Sequence, residues 1–589
     1  MSMWSTRTQH LLQAQDNSDR PAHCTKLDHR VFELEVEIRA IKSFRNTLAP
    51  INGIPPEILS IIFIIVAHCP QSFLDLETRG PYVDTTWIQS TSHVCRQWRE
   101  VALVCPALWA RISFASPEIT ELMLLRSKDA PLSIVYNESH QTFPHHVLQA
   151  LFHSHRLKAI ELRSDYYQSS SLGTLLTHHS RPMPILQSLK LRDMVGSGFH
   201  FPGRFFPEGA PALRYLEARG CNISHWQDLP LGTNLTTLHL EAHRTSNRPT
   251  VEEFHGALVR VPCLLELSLI NILPVDEGRY GRPISQRLAP ILPALRVMHL
   301  EDTSAALSTL FLYFHIPPCD KLEVFNNETV NDDGAIVDLI AQLGSSWRPD
   351  VHCGTLSIFG SFDGFQFNQQ TYDVSLKFHQ DEGRLGSERS LHLNLSGAPG
   401  ATSGILSSFR WLLGPTALHS FTGNNLRLPV PAWNMLLQQL QLAEIRIEKT
   451  AFGGFIDALI QSSAGEHQPQ DHSNSGDGKA GPPPFPSLSC LCLKDIHFQI
   501  YEFGLMESGL YKLNDANAAV MSLVDCLKRY PMRKISIDHC YGFTRAHWRI
   551  MQQEFPGAEV IWDKYENAHG SELGELLEEL RDLVQEWGN

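Results

Sequence analysis

The sequence predicts an α/β chain: a small N-terminal helical domain followed by an irregular solenoid of strand–turn–helix units. Three observations point there. The chain has 589 residues, about four times a typical single domain, so it holds several domains or a repeat array. Hydrophobic residues make up 43% of it, enough for substantial cores and too many for global disorder. A short apolar phrase also returns at a loosely regular interval through most of the chain.

Composition removes several function classes. The 63 acidic against 49 basic residues leave a formal charge of −14, whereas a non-specific nucleic-acid binder needs a basic surface. No stretch reaches the roughly 18 to 20 apolar residues that cross a bilayer. The strongest, Ile58 to Ala67, is interrupted at Ser60. The start, MSMWSTRTQH, lacks the basic-then-apolar pattern of a secretory leader. Twelve scattered cysteines contain no Cys-x-x-Cys pair, which reads as reduced, mostly buried thiols. The expectation is a soluble cytoplasmic or nuclear chain with no membrane and no nucleic-acid partner.

Residues 1–24 are polar and irregular, and a loose, disordered tail is expected there. Over 25–50 the apolar positions Leu27, Val31, Leu34, Ile38, Ile41 and Leu48 step by four and three, broken only at Arg45. That stripe predicts a helix. It suits a short coiled coil or a helix laid on the next domain, and so few heptads favour the second.

The block 51–115 follows. Pro56 suits a first helical position, where its missing N–H is no loss. Glu57 sits where the helix dipole favours an acid. Ile58, Leu59, Ile61, Ile62, Phe63, Ile65 and Val66 then make a helix apolar nearly all round, which must be covered on two sides. A second helix pattern carries Trp87, Val94, Trp98, Val101 and Ala102 and stops at Pro106. Three short helices in so few residues give a small core and an apolar surface that invites a partner.

From 116 to 565 the phrase Leu-x-x-Leu-x-Leu takes over. It appears as Leu157-Ile160-Leu162, Leu186-Leu189-Leu191, Leu235-Leu238-Leu240, Leu264-Leu267-Leu269 and Leu295-Met298-Leu300. Later copies are Leu442-Ile445-Ile447, Leu488-Leu491-Leu493 and Met532-Ile535-Ile537, with degenerate ones at Leu213-Leu216-Ala218 and Leu322-Phe325. From 157 to 322 the starts step by 29, 27, 22, 29, 31 and 27 residues, at or slightly above the leucine-rich-repeat period. Alternation of the last two apolar residues with polar ones makes each phrase a short strand with one buried face. Such a unit must stack on neighbours. Only fragments, Leu356-Ile358 and Leu391-Leu393-Leu395, survive between 350 and 425. Residues 462–486, rich in Ser, Gly, Pro and His, read as a disordered insertion. Residues 566–589 read as an acidic amphipathic C-terminal helix.

The block also resembles a known family. Ile54-Pro55-Pro56-Glu57-Ile58-Leu59 with Ile62-Phe63 is similar to the opening Leu-Pro-x-Glu-Ile-Leu-x-x-Ile-Phe of the F-box. Val94-Cys95-Arg96-Gln97-Trp98-Arg99 is similar to its Val-Cys-Arg-x-Trp-Arg close. The phrase Pro106-Ala107-Leu108-Trp109 and the preceding helix look like F-box-like proteins of mushroom-forming fungi, which commonly carry degenerate leucine-rich repeats behind the F-box. A polar loop, Ser72 to Thr86, lengthens the middle of the motif.

What the resemblance implies is a substrate receptor of a Skp-cullin-F-box type ubiquitin ligase. The block would dock a Skp-type adaptor, and through it cullin and RING subunits; the repeats would hold an unknown protein substrate. Pro55, Ile58, Leu59, Ile62, Val94 and Cys95 would face the adaptor. Glu57, Phe63 and Trp98 would be structural. The rival reading is a leucine-rich-repeat scaffold for protein–protein interaction without ligase assembly.

No enzyme chemistry is expected, with no catalytic residue, metal or cofactor. Neither a phosphate-binding loop nor a nucleophile elbow is present. Cys490 and Cys492 flank Leu491 on a strand without further ligands at zinc spacing, and the doublets His145-His146 and His178-His179 lack acidic or cysteine company. By alternation Lys190, Glu217, His239, Ser268, His299, Arg446 and Lys494 would line the strand face.

Overall fold

The computed structural model describes residues 5–13, 20–68, 85–138, 144–164, 181–193, 200–201, 206, 210–243, 248–275, 292–317, 319–327, 333–346, 352–362, 370–379, 389–397, 418–424, 430, 433, 442–449, 453–464, 487–498 and 516–565. The chain is mixed α/β, with an N-terminal helical region followed by largely parallel strands. It divides into two units, Met1–Cys221 and Asn222–Asn589.

The first unit opens with α1 (Thr6–Gln13) and α2 (Arg20–Thr47). Residues 1–24 are therefore not wholly loose as expected. Their polar side chains tie α1 to α2, Arg7 pairing with Glu33 at 2.8 Å and Arg30 donating to the Thr8 hydroxyl at 3.1 Å. The expected docking of the α2 stripe on the next domain is also corrected, because α2 buries none of its residues. A turn at Pro50–Gly53 leads into α3 (Pro56–His68), α4 (Thr86–Ser92), α5 (Arg96–Val104) and a second turn at Pro106–Trp109. Then come β1 (Arg111–Ile112), α6 (Pro117–Arg126), β2 (Leu132–Asn137), α7 (Pro144–Leu151), β3 (Leu157–Ser164), β4 (Ser188–Asp193) and β5 (Tyr215–Arg219).

Strands β1 to β5 pair in parallel and in chain order. The register aligns buried residues into ladders. Leu189 stands between Ile160 and Leu216, and Leu191 between Leu162 and Ala218, all at most 1% exposed. Parallel pairing requires a crossover between strands. Ser116 caps α6, the first of these, by accepting from the Ile119 amide, which satisfies an amide the helix start would otherwise leave bare.

The second unit holds β6 (Thr237–Glu241), α8 (Val251–Val259), β7 (Glu266–Ile270), β8 (Val297–Asp302), α9 (Ser304–Tyr313), β9 (Lys321–Asn326) and α10 (Asp333–Ser346). After them come β10 (His352–Phe362), β11 (Gln370–His379), β12 (Arg389–Gly397), β13 (Ser420–Asn424), β14 (Glu444–Glu448) and α11 (Gly453–Ala464). It closes with β15 (Cys490–Lys494), α12 (Ala516–Leu527), β16 (Lys534–Asp538), α13 (Arg545–Glu554) and β17 (Glu559–Trp562). From β6 to β9 and from β13 to β17 neighbours pair in parallel and in chain order.

The middle inverts that order. Beside β9 lies β12, not β10; β11 runs antiparallel to both β12 and β10; and β10 then pairs with β13. The fragments Leu356-Ile358 and Leu391-Leu393 do fall on strands, and Leu391 and Leu393 sit in register with Leu322 and Val324. One register expectation is corrected. The buried apolar residues of β9 are Leu322 and Val324, after buried Cys319. Phe325 turns to the opposite face, its ring 5.0 Å from His299 and 5.4 Å from His392.

Repeated turns end the strands. Gly220, Asn271, Lys449, Asp495 and His539 each follow a strand with φ between 48° and 68°, a left-handed conformation that glycine and Asn or Asp adopt most easily. The residue after four of these turns, Cys221, Ile272, Ile496 or Cys540, is at most 1% exposed. The two cysteines occupy matching environments. Each thiol lies beside its own strand's last carbonyl, 3.5 Å for Arg219 and 3.4 Å for Asp538, and near the preceding strand's leucine, Leu191 or Leu493. In the second unit Arg248 grips fully buried Asp302 through two bonds of 2.7 and 2.8 Å. Most of 462–486, and all of 566–589, lie outside the described residues.

Candidate partner-docking surface

Two faces of α3 have opposite fates. Leu59 and Phe63, four residues apart, are 0% and 1% exposed, turned toward α4, α5 and the Pro106–Trp109 turn, against which α3 packs. Ile58, Ile61, Ile62, Ile65 and Val66 form the other face, at helical spacings of three and four. They remain 49%, 52%, 38%, 61% and 47% exposed. At about 25 cal/mol per Å2, an isoleucine stripe left in water costs several kcal/mol relative to a covered one. Val94 and Val104 add exposed apolar surface on the neighbouring segments.

Aromatic side chains fix the inner face. The Phe63 and Trp98 rings lie 5.1 Å apart, as do those of Trp87 and Trp109. Trp109 is fully buried, its indole N–H donating to the Ala102 carbonyl at 2.7 Å and its ring covered by the Arg126 guanidinium at 4.5 Å. Such aromatic pairs add about 0.5–1.5 kcal/mol beyond burial.

Asn52 is the junction that sequence reasoning missed. Its side-chain oxygen accepts from the Trp98 indole at 2.9 Å, its backbone carbonyl accepts from Gln97 at 2.9 Å, and its amide donates to the Asn46 carbonyl. One residue therefore binds the end of α2 to α5. A polar residue between the α2 pattern and Pro56 gave no periodic signal by which to find it.

The expected adaptor-facing set is placed unevenly. Pro55, Ile58, Ile62 and Val94 are exposed. Leu59 is not; it is corrected to a core position because it shares Phe63's side of the helix. Cys95 is half-buried and caps α5, its sulfur accepting from the Trp98 amide at 3.5 Å. Ile61, Ile65 and Val66 belong to the open face, which the i, i+3, i+4, i+7 spacing from Ile58 marks. Glu57 is exposed in the first turn of α3. A groove lined by Arg39, Lys42, Asn46, Val94 and Arg96 lies beside Asn52.

Residues 51–115 match the family model described as F-box-like. This stretch is an F-box-like domain. Such a domain generally binds Skp-type adaptors. No curated protein matches the chain.

Behind the F-box-like domain, Lys190, His239, Ser268, His299, Arg446 and Lys494 stand partly or fully exposed on their strands, as alternation requires. Glu217 departs from this pattern, being fully buried. Arg192 grips it at 2.8 and 3.1 Å, Arg219 at 2.6 Å, and the Tyr215 hydroxyl donates at 2.8 Å. Burial alone would raise its pKa; the Arg192 hydrogen bonds and charge outweigh that and hold it below the ordinary carboxylate value.

Two side-chain groups come within metal-ligating reach among the described residues: Glu444 with Cys490 and Cys492, and Asp538 with His539 and Asp563. The two thiols lie 3.9 Å apart. Burial and the neighbouring thiol push Cys490 to about 12, so in this arrangement it is a neutral thiol at physiological pH.

Proposed function

We propose that this chain is the substrate receptor of a Skp-cullin-F-box type ubiquitin ligase. The observation that carries the reading is the isoleucine face of α3, left in water within a domain that matches the F-box-like model. A Skp-type adaptor covers Ile58, Ile61, Ile62 and Ile65 together with Val94, and brings the cullin and RING subunits. Leu59, Phe63 and Trp98 hold the helix in place from beneath.

The strands behind it form a leucine-rich-repeat solenoid that holds the target protein. Its support is the recurrence of one unit: buried opening leucine, two buried strand residues, and a left-handed turn. Such arrays present their strand-side residues to ligands. No bond is made or broken on this chain. It supplies proximity, holding a target lysine near the conjugating enzyme and replacing a bimolecular encounter with a local one. Assembly takes place in the cytoplasm or nucleus.

Co-purification tests the reading. The parent chain is expected to retain a Skp-type adaptor and cullin, and Ile58→Asp with Ile62→Asp to lose both while remaining folded. Equal retention by parent and variant removes the docking assignment. Retention of neither, with target proteins still captured, favours the scaffold without ligase assembly.

A further inference from the structure

Helix α2 spans 28 residues with no buried residue. Val31, Ile38 and Ile41 are 55%, 50% and 62% exposed, and Leu48, just past its end, is 69% exposed. Leu27 and Leu34 are half-buried. These six residues are the alternating four-and-three series of a heptad seam, in which Leu27, Leu34, Ile41 and Leu48 take d positions and Val31 and Ile38 take a positions. Phe32 and Val36 fall outside the seam.

From this arrangement we infer that α2 pairs with α2 of a second copy of this chain as a parallel, in-register two-stranded coiled coil. Three features of the sequence favour that occupant over a foreign helix. Branching at Cβ in the a residues, with leucine in three of the four d residues, is the combination that favours two parallel strands. Arg45 at the next a position disfavours larger bundles, since a single polar a residue specifies oligomer state at some cost in stability.

The flanking charges complete the argument. In a parallel pair each g residue faces the e residue five places on in the partner helix. Arg30 would then face Glu35 of the second copy, and Glu37 would face Lys42, with both contacts repeated by symmetry. Every one is attractive. Antiparallel pairing centred on residue 35 instead opposes Glu35 to itself. Glu37 and Lys42 have no ion-pair partner among the described residues. Arg30 currently pairs with Glu33 at 3.0 Å and donates to α1, so pairing exchanges that contact and displaces α1 from the first heptad.

The full chain, of 66.4 kDa, is the material for the test. Sedimentation equilibrium is expected to give about twice that mass at high concentration, reverting to the single chain on dilution. Ile38→Asp with Ile41→Asp is expected to abolish the dimer. Glu37→Lys alone is expected to weaken it roughly tenfold, from two symmetric contacts, and Glu37→Lys with Lys42→Glu to restore it. Cys24 is exposed and occupies the a position before Val31. Mild oxidation should therefore link two copies through Cys24, with Cys263→Ser removing the other thiol exposed among the described residues. A chain monomeric at all concentrations overturns the proposal. A dimer that survives Ile38→Asp with Ile41→Asp overturns it too, as does one that the paired charge exchange fails to restore. The Ile58 and Ile62 variant should leave the dimer intact, so this test stands apart from that of adaptor binding.

Discussion

Glu217 shows how a strand-face position becomes part of the core. Its carboxylate is fully buried and compensated by Arg192, Arg219 and Tyr215. Removing the partners of a buried charge costs about 3–5 kcal/mol. The pKa of this group is lowered on folding, so its stabilisation is fully present above the unfolded value. It is lost as pH falls through the folded value. Denaturant titrations should show Glu217→Gln less stable than the parent at neutral pH, the difference shrinking below the ordinary glutamate pKa of about 4.3. A difference independent of pH would contradict the charge assignment. Asn52→Ala should cost about 1–3 kcal/mol, because the Trp98 indole N–H loses its acceptor. Its melting temperature reads this directly.

At the scale of the element, α3 predicts opposite responses from adjacent residues. Leu59→Ala and Phe63→Ala should each destabilise the chain by about 2–5 kcal/mol, through lost transfer energy and the cavity left behind. Ile61→Ser and Ile65→Ser should change stability by about 0.5 kcal/mol or less. Equal losses on both faces would show the stripe to be covered. The sequence made the helix legible, because Pro56, Glu57 and the apolar run are local signals. It could not choose the buried face, because a helix apolar nearly all round carries no contrast between its sides. Strands were easier: period-two alternation distinguishes their faces, and Leu189, Leu191, Leu267 and Leu269 all lie buried as read. Phe325 was misplaced because two apolar residues in succession, Val324 and Phe325, satisfy either register.

For the whole molecule, the order of strands was the least legible feature. Nothing in the residues of β10, β11 and β12 tells β9 to pair with β12, because alternation fixes a strand's faces and not its neighbour. Glu217 was unreadable for a related reason: Arg192 reaches it only once β4 and β5 are side by side. What the sequence did carry to this scale was the order of the parts, a small helical domain ahead of largely parallel strands. If the first part docks and the second holds targets, Ile58→Asp with Ile62→Asp should leave target capture from cell extract unchanged while ubiquitination of those targets is lost. Loss of both would join the two roles in one surface.

The claim beneath all of this is that the isoleucine face of α3 is open in the free chain and closed by a Skp-type adaptor. Hydroxyl-radical labelling of the full chain, with and without purified adaptor, reads that face residue by residue. The account predicts that Ile58, Ile61, Ile62 and Ile65 are labelled in the free chain and protected in the complex, while Leu59 and Phe63 stay unlabelled in both. Unchanged labelling of the four isoleucines in a formed complex would contradict it.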